Sequence, residues 1–351
     1  MLRFATIGTS GIAEQFLLAL ADVGEADYVA AYSRDLARAR EFGAPFGARL
    51  FFDDVDDLVG CDEVDAVYIA SPNALHAEQA LAAIRRGKHV LVEKPFASNE
   101  AEARLVFDEA RRAGVVALEA TRSLHVPAFS TIERIVTEEL GQVRLATFRF
   151  SKVTSRIARL RAGERINVFD PTFSGGALMD IGVYCVEPAV ALFGRPEKVH
   201  ALAVTSLAAG ATADDPCGLI DLAGEALLGY GDKIVCLSYG KLTDDIVSSQ
   251  VEGERGTLAW DQVSCPANLR VHTHEDRGRV FRMEGASVTP VQSELPERDM
   301  VCEISDFVLA VRGEGEALAA RERFEAVTVD SLSVMDEIRR QAGVRFPADA
   351  R

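Results

Sequence analysis

The strongest constraint on the fold of this chain is the alternation of short apolar runs with amphipathic stretches over residues 1–120. Continuous apolar runs occur at Phe4–Ile7, Tyr28–Tyr32, Val64–Ala70, His89–Val92 and Val115–Leu118. Strands of a parallel sheet are covered on both faces, so they are apolar throughout. Strand–helix–strand repeats at this spacing predict βαβ units and an α/β fold with a doubly wound parallel sheet.

The segments between these runs have apolar residues at helical spacing. Residues 12–21 and 35–42 have it, and residues 74–86 follow Asn73, which we expect to act as a helix cap. A further helix is predicted from Ser98 or Asn99 to Ala113. We therefore assign residues 1–120 to one domain.

The pattern changes after residue 120. A helix at 127–139 and a strand at 143–153 precede a region of hairpin signals, and helices are predicted at 298–312 and 321–341. Residues 121–351 are therefore expected to form an α+β domain with a large, mostly antiparallel sheet. The predicted hairpin turns are Gly231-Asp232, Glu254-Arg255 and Asp276-Arg277-Gly278.

Charge and cysteine content narrow the partners and the compartment. The net charge of −16 would repel nucleic acid and anionic lipid, so neither is expected as a partner. No apolar stretch approaches the ~18 residues of a membrane span, and no targeting signal is recognised. The six cysteines are scattered and form no Cys-x-x-Cys pair, which indicates reduced thiols in a cytoplasmic protein.

The first apolar run ends in the turn Gly8-Thr9-Ser10-Gly11, which leads into a helix beginning near Ile12. A glycine turn between a first strand and a helix is typical of a dinucleotide site, where helix amides face the pyrophosphate. Ser10 stands where a second glycine is usual. The alternative is a glycine turn without a ligand.

The second strand ends in Ser33-Arg34-Asp35. An acid at this point binds the ribose hydroxyl of NAD, whereas an arginine suits the 2′-phosphate of NADP. Because Ser33 and Arg34 come first, NADP is favoured and NAD stays possible. Alternatively, Arg34 is a solvated loop residue and Asp35 a helix cap.

Two further motifs carry ionisable groups. Glu93-Lys94-Pro95 ends a strand of the predicted parallel sheet, where ligands bind, although a surface lysine is the alternative. Asp180 and Tyr184 lie four residues apart in a Gly-Gly-Ala-Leu-Met-Asp-Ile-Gly-Val-Tyr segment and share a face if it is helical. A phenol, a carboxylate and a lysine would make an acid–base set. The alternative is that Asp180 caps the helix and Tyr184 is core.

Taken together, these motifs resemble those of the Gfo/Idh/MocA oxidoreductases, the family of glucose–fructose oxidoreductase and inositol dehydrogenase. The resemblance extends over essentially the whole chain and implies a Rossmann domain followed by a mixed-sheet substrate domain. It implies that Lys94, Asp180 and Tyr184 are catalytic. Tyr184, where many members carry histidine, resembles the branch of glucose–fructose oxidoreductase and dimeric dihydrodiol dehydrogenase. The expected cofactor-binding residues are Gly8, Thr9, Ser10, Gly11, Ile12, Ser33, Arg34, Ser71, Pro72, Asn73, His76, Glu93 and Lys94.

The expected function is an NAD(P)-dependent dehydrogenase or reductase that transfers a hydride between nicotinamide and a sugar, polyol or related diol. Tyr184 would carry the hydroxyl proton, with its pKa lowered below the usual ~10 by Lys94. A non-catalytic regulator of the same fold that binds nicotinamide nucleotide is the alternative.

Three other features remain. Arginines at 156, 159, 161 and 165 either overhang the substrate pocket or form a solvated loop. His272, His274, Glu275 and Asp276 offer too few recognisable ligands for us to expect a metal. The predicted strand 233–239 is apolar on both faces, which predicts a homo-oligomer, a dimer or tetramer, formed through the C-terminal sheet.

Overall fold

The amino-terminal part of the chain forms a six-stranded parallel sheet with strand order β3-β2-β1-β4-β5-β6. This computed structural model describes residues 1–273, 287–294, 296–314 and 317–350. The order reverses between β1 and β4, which is the point where doubly wound sheets bind ligands. The strands are β1 (Leu2–Ile7), β2 (Ala26–Tyr32), β3 (Leu50–Phe52), β4 (Ala66–Ile69), β5 (His89–Glu93) and β6 (Ala117–Ala120).

Helices cover this parallel sheet. In the first of them, Ala13, Phe16 and Leu20 are buried, and the Phe16 ring stacks on Tyr68 at 3.7 Å between centroids. Asn99 caps the last, since its Oδ1 accepts from the Glu102 amide. The helices are α1 (Gly11–Val23), α2 (Leu36–Gly43), α3 (Val55–Val59), α4 (His76–Arg85) and α5 (Glu100–Ala113).

Two details of the sequence prediction are wrong here. Strand β3 and helix α3 were missed because each is too short to show a hydrophobic period. Asn73 does not cap α4. It begins a short 3₁₀ turn, and its amide donates instead to the Ser174 carbonyl.

The second sheet has eight strands in the order β14-β13-β12-β11-β7-β10-β9-β8. Only β7 and β10 pair in parallel among its described strands. The predicted α/β fold with a second, mostly antiparallel sheet is therefore confirmed. The strands are β7 (Val143–Ser151), β8 (Lys198–Leu207), β9 (Leu219–Gly229), β10 (Ile234–Gly240), β11 (Ser249–Gly253), β12 (Gly256–Asp261), β13 (Ala267–Thr273) and β14 (Ser287–Pro290).

The hairpin predictions divide into two groups. The turns at Gly231-Asp232 and Glu254-Arg255 join antiparallel neighbours, as predicted. The third turn, at 276–278, and its second strand, at 279–283, lie outside the described residues. Strand β8 was missed.

The remaining helices cover one face of the second sheet and join it to the first. Helix α10 packs on α1, and α11 packs on α5, α9 and β8. These contacts give the two sheets a common core, while the division at residue 120 stays a prediction. The helices are α6 (Arg122–His125), α7 (Pro127–Arg134), α8 (Ile157–Arg161), α9 (Val183–Phe193), α10 (Met300–Arg312) and α11 (Ala317–Ala342).

The stretch Pro171–Phe193, which contains α9, is long and apolar enough to cross a membrane by composition alone. Sequence inspection missed it because Asp180 and Glu187 interrupt the run. The fold buries 78% of the most apolar 18-residue part of this stretch. A helix in the core of a protein can have the same length and composition, because the interior of a protein is also apolar.

Candidate functional site

A cleft of about 780 Å³ opens at the carboxyl ends of β4 and β5 and is closed on its other side by the segment that leads into α9. Asp180, Ile181 and Tyr184 of this segment therefore face the ends of the parallel strands. A groove of similar volume along β13 and β14 contains none of the motif residues. The predicted site residues that line the cleft are Ser10, Ile12, Ser71, Pro72, Asn73, His76, Glu93, Lys94, Asp180 and Tyr184.

The turn after β1 requires glycine at its first position. Gly8 has φ +111°, and a Cβ there would lie 2.5 Å from the Ala70 carbonyl oxygen. This close approach brings β1 and β4 together at the cleft. A Cβ at Gly11 would meet nothing within 4 Å.

The first turn of α1 is free to bind an anion. Ser10 occupies the cap position with extended backbone, and its hydroxyl caps none of the first amides in the described structure. Uncapped amides at a helix amino terminus bind phosphate. Thr9 lies beside them on the turn, so these residues fit a dinucleotide pyrophosphate.

The end of β2 presents arginines rather than an acid. The Asp35 carboxylate caps α2, accepting from the amides of Ala37 and Arg38 at 2.8 and 3.3 Å. Arg34 is exposed beside Ser33. Sequence reasoning missed Arg38, whose guanidinium donates to the Thr9 hydroxyl and carbonyl, both at 3.4 Å. Its position in the first turn of α2, close after Arg34, was the available signal.

Two side chains hold the loops around the cleft. The ring nitrogens of His76 lie 2.9 and 2.8 Å from the carbonyl oxygens of Pro95 and Ser71. Burial lowers the pKa of His76, so the ring is neutral and donates to one of these carbonyls at a time. Asn73 Nδ2 donates to the Ser174 carbonyl at 2.9 Å, joining the end of β4 to the 175–184 segment.

Lys94 extends from the end of β5 into the centre of the cleft. Its Nζ donates to the Asp180 carbonyl at 2.8 Å and lies 3.5 Å from Asp180 Oδ1. The same atom is 5.1 Å from the centre of the Tyr184 ring. Burial acts to lower the pKa of Lys94, but the electrostatic interactions with Tyr184, Asp180 and Glu93 outweigh this effect. The net pKa is raised, so the lysine is a cation.

Glu93 precedes this lysine, and hydrogen bonds within the protein engage its carboxylate. Its carboxylate accepts from the Tyr68 hydroxyl at 2.5 Å and from the Lys94 amide at 3.2 Å. Burial raises the pKa of Glu93 despite the nearby charge of Lys94.

Asp180 lies between two lysines. Its carboxylate forms a second ion pair with Lys241, which follows β10. Burial acts to raise the pKa of Asp180, but the positive charges of Lys94 and Lys241 lower it by more. The net pKa is lowered, so the carboxylate is ionised. Asp180 is not a helix cap, because it lies inside the helical turn Leu178–Gly182 that leads into α9. The Leu178 amide at the start of this turn donates to the Asp221 carboxylate at 2.7 Å. Sequence reasoning missed Lys241, since its position after a strand of the second sheet carries no motif.

Tyr184 is 5% exposed and lies beside a second cation that the sequence analysis missed. Arg122 Nη2 is 3.5 Å from the Tyr184 hydroxyl, and Arg122 Nη1 is 3.3 Å from Asp299. Burial raises the pKa of Tyr184 by more than Lys94 and Arg122 lower it. The expectation that Lys94 brings this pKa below its usual value is therefore wrong, because burial outweighs the lysine. The position of Arg122 directly after β6 was the available signal.

The basic segment borders the cleft in part. Arg156, Arg159 and Arg165 line it, whereas Arg161 does not. Arg159 pairs with Glu164, and Arg165 pairs with Asp170.

Of the candidate metal ligands, His272 lies on β13, and His274, Glu275 and Asp276 lie outside the described residues. No group of three or more His, Cys, Asp or Glu side chains suited to a metal ion occurs within the described ranges.

Comparison with known proteins agrees with this architecture. Residues 2–121 match a model of an oxidoreductase family with an NAD-binding Rossmann fold, and residues 130–259 match a GFO/IDH/MocA C-terminal domain. The chain is 36% identical over 349 residues to scyllo-inositol 2-dehydrogenase (NADP(+)) of Bacillus subtilis, covering 99% of each chain. It is 26% identical over 361 residues to trans-1,2-dihydrobenzene-1,2-diol dehydrogenase of Mus musculus, covering 100% of this chain and 99% of that one.

Among solved structures, the 3-ketoreductase KijD10 from Actinomadura kijaniata in complex with NADP and TDP-benzene is similar. It superposes with a TM-score of 0.79 at 25% identity and covers 99% of both chains. The predictions of a nicotinamide-nucleotide-binding Rossmann fold and of a dehydrogenase or reductase are thus confirmed. The chain belongs to the Gfo/Idh/MocA family of NAD(P)-dependent oxidoreductases.

Proposed function

We propose that this protein transfers a hydride between NADP(H) and a carbinol carbon of a sugar, polyol or related diol, with Lys94, Asp180 and Tyr184 at the reacting group. The observation that carries the proposal is the position of the Lys94 ammonium, 3.5 Å from the Asp180 carboxylate and 5.1 Å from the centre of the Tyr184 ring. These groups meet in the cleft that the dinucleotide turn borders. The dihydrodiol and inositol dehydrogenases among the relatives support this substrate class.

Each group has a distinct part in the proposed reaction. The nicotinamide dinucleotide, when bound, supplies the hydride acceptor or donor. Tyr184 takes the hydroxyl proton during oxidation and returns it during reduction. The Lys94 ammonium binds the same substrate oxygen and stabilises negative charge that develops on it. Asp180 holds Lys94 in place and keeps it charged, and Lys241 restrains Asp180 from the other side.

A panel of sugars, polyols and diols offered with NADP⁺ tests the function, with the ultraviolet absorbance of reduced nicotinamide as the readout. Once a substrate is found, Tyr184→Phe and Lys94→Met should each lower kcat by roughly 10²–10⁴, the usual contribution of an acid–base group. Both variants should fold and bind NADPH nearly as well as the parent, because ring and stem volumes are largely kept.

The matched control is Tyr230→Phe, which removes a phenol that hydrogen-bonds the Gly194 carbonyl away from the cleft. Its turnover should equal that of the parent. Near-parental turnover in Tyr184→Phe would remove Tyr184 from the mechanism, and a panel without any turnover would favour a non-catalytic binding protein.

Arg122 sets the pH range of oxidation in this mechanism. The proton-accepting form of Tyr184 is the phenolate, so the oxidation rate rises with pH as the phenol ionises. Arg122→Met removes a cation 3.5 Å from this hydroxyl, which raises the pKa of Tyr184 further. The rising limb of the pH–rate profile should therefore move to higher pH. Arg122→Lys keeps the charge and should move the limb less, while superimposable profiles for Arg122→Met and the parent would contradict this role.

The preference for NADP over NAD is the second part of the proposal. Arg34 and Arg38 are exposed at the end of β2, and the acid that would bind a ribose hydroxyl is engaged as a helix cap. Two guanidinium groups near the Gly8 turn suit a 2′-phosphate.

We expect NADPH to bind more tightly than NADH. Arg34→Ala and Arg38→Ala should each weaken NADPH binding by about 1.5–3 kcal/mol, the contribution of a charge-assisted hydrogen bond, and barely affect NADH. Fluorescence titration of the reduced cofactor measures both affinities. Arg40→Ala is the control on the same helix, because its guanidinium lies over the Phe51 ring. Equal affinity of the parent for both cofactors would refute the preference.

The assembly is proposed to be a homo-oligomer formed through the second sheet. On β10, Val235, Leu237 and Tyr239 are buried on the helix-covered face, while Ile234 points to the open face and is 48% exposed. Leu202 on the same open face is 82% exposed. An apolar sheet face of this kind is buried in a stable protein, and a second copy of the chain would cover it. The other large apolar side chains exposed on this face include Leu145, Val204 and Leu227.

Leu202→Asp should shift the protein toward the monomer, because an unpaired carboxylate cannot be buried in the interface. Light scattering at micromolar concentration measures the mass against the 37.9 kDa of one chain. Leu105→Asp, at an exposed leucine of α5, is the control, and its mass should equal that of the parent. A parent mass of 37.9 kDa would refute the oligomer.

The compartment is proposed to be the cytoplasm. All six cysteines lie in the described part of the chain and are free thiols. Free thiols persist in a reducing compartment.

A further inference from the structure

The ionisable side chains that line the cleft are mainly basic, although the chain as a whole carries a net charge of −16. Six are lysine or arginine, and two, Glu93 and Asp180, are acidic. Both acids are already engaged. Glu93 accepts from Tyr68 and from a backbone amide, and Asp180 pairs with Lys94 and Lys241. The cleft therefore carries excess positive charge with no free carboxylate for a cationic ligand.

Most of the cations also have a partner. Lys94 pairs with Asp180, Arg122 with Asp299, Arg159 with Glu164, and Arg165 with Asp170. Two do not. Within the residues that the structure describes, the side chains of Lys152 and Arg156 make no hydrogen bond or ion pair, and both are exposed at the cleft.

The backbone around these two residues is anchored next to the catalytic group. The Lys152 amide donates to the Gly240 carbonyl and the Thr154 amide to the Lys241 carbonyl, both at 2.9 Å. Lys241 is the residue whose side chain pairs with Asp180. The two free cations thus belong to the wall formed by the second sheet, whereas the Gly8 turn and Arg34 belong to the first sheet.

We infer that the substrate carries a carboxylate or a phosphate group, which Lys152 and Arg156 bind while its carbinol lies at Lys94 and Tyr184. This inference rests on the proposed function. The cofactor phosphates have their own donors on the first sheet, namely the α1 amides and the arginines after β2. A neutral sugar would leave Lys152 and Arg156 without a ligand. An anion uses both, because each offers charged donors that suit carboxylate and phosphate oxygens.

The first test compares matched substrates: glucose, glucuronate and glucose 6-phosphate, followed by the corresponding acid and phosphate of any neutral substrate that is turned over. We expect at least one anionic member to exceed its neutral counterpart in kcat/KM. Arg156→Gln and Lys152→Gln should each reduce the anionic-to-neutral ratio roughly 10- to 100-fold, mainly through KM. The preferred member distinguishes a carboxylate from a phosphate. A neutral substrate preferred by the parent would overturn the inference and leave the proposed function intact.

The matched control is Arg161→Gln. Arg161 lies on α8 in the same segment and is exposed, but does not line the cleft. This substitution removes the same charge as Arg156→Gln, so a general electrostatic effect would lower the anionic-to-neutral ratio of the Arg161→Gln variant as well. An unchanged ratio in Arg161→Gln together with a reduced one in Arg156→Gln supports the inference, and equal reductions in both overturn it.

A second test does not need turnover. Inorganic phosphate and acetate are titrated by calorimetry into protein saturated with NADPH, whose own phosphates then occupy the nucleotide site. We expect phosphate or acetate to bind the parent and Arg161→Gln alike and to bind Arg156→Gln about tenfold more weakly. Absence of anion binding, or equal binding by parent and Arg156→Gln, would overturn the inference. If no substrate is turned over although NADPH binds, the proposed function fails, and this titration alone decides the anion site.

Discussion

The ion pairs of Asp180 are the interaction on which the rest of the site depends. Lys94 comes from the end of β5 in the parallel sheet, and Lys241 comes from the end of β10 in the second sheet. One carboxylate therefore joins both sheets inside the cleft. Removing Asp180 would leave two largely buried ammonium groups without their counterion, which is far more costly than losing a surface ion pair. This requirement keeps the lysine charged and directed at Tyr184.

The surrounding loops are held by contacts of a different kind. Gly8 allows the end of β1 to lie against the Ala70 carbonyl, and His76 joins the Ser71 and Pro95 carbonyls. Asn73 joins the parallel sheet to the loop before α9 through Ser174. These contacts join backbone atoms of the loops that follow β4 and β5 and of the loop before α9. Such restraint of the loops suits the proposed reaction, in which a hydride donor and acceptor must be positioned closely.

The electrostatic character of the cleft is opposite to that of the molecule. An acidic surface repels anions, whereas the cations gathered at the end of the sheets attract them locally. Burial alone would favour neutral side chains here. Because Lys94 and Arg122 face Asp180 and Asp299, their charges survive desolvation. The same two cations oppose, without overcoming, the rise in the pKa of Tyr184 that burial produces.

Much of this protein was determined by the sequence alone. Continuous apolar runs separated by helical stretches indicated a parallel sheet, since strands of such a sheet are covered by helices on both faces. The motifs at Gly8, Glu93-Lys94-Pro95 and Asp180 to Tyr184 identified the family and selected residues that meet in one cleft. Short elements such as β3 and α3 were not predicted, because three to five residues are too few to show a hydrophobic period.

Only the tertiary structure decided the partners of the residues that these motifs selected. Lys241 and Arg122 are 61 and 62 residues from the side chains they contact. Contacts over such separations depend on how strands and helices pack, and local sequence does not encode them. The pKa of Tyr184 shows the same limit, because burial is a property of the folded chain and outweighs the neighbouring lysine that the motif revealed.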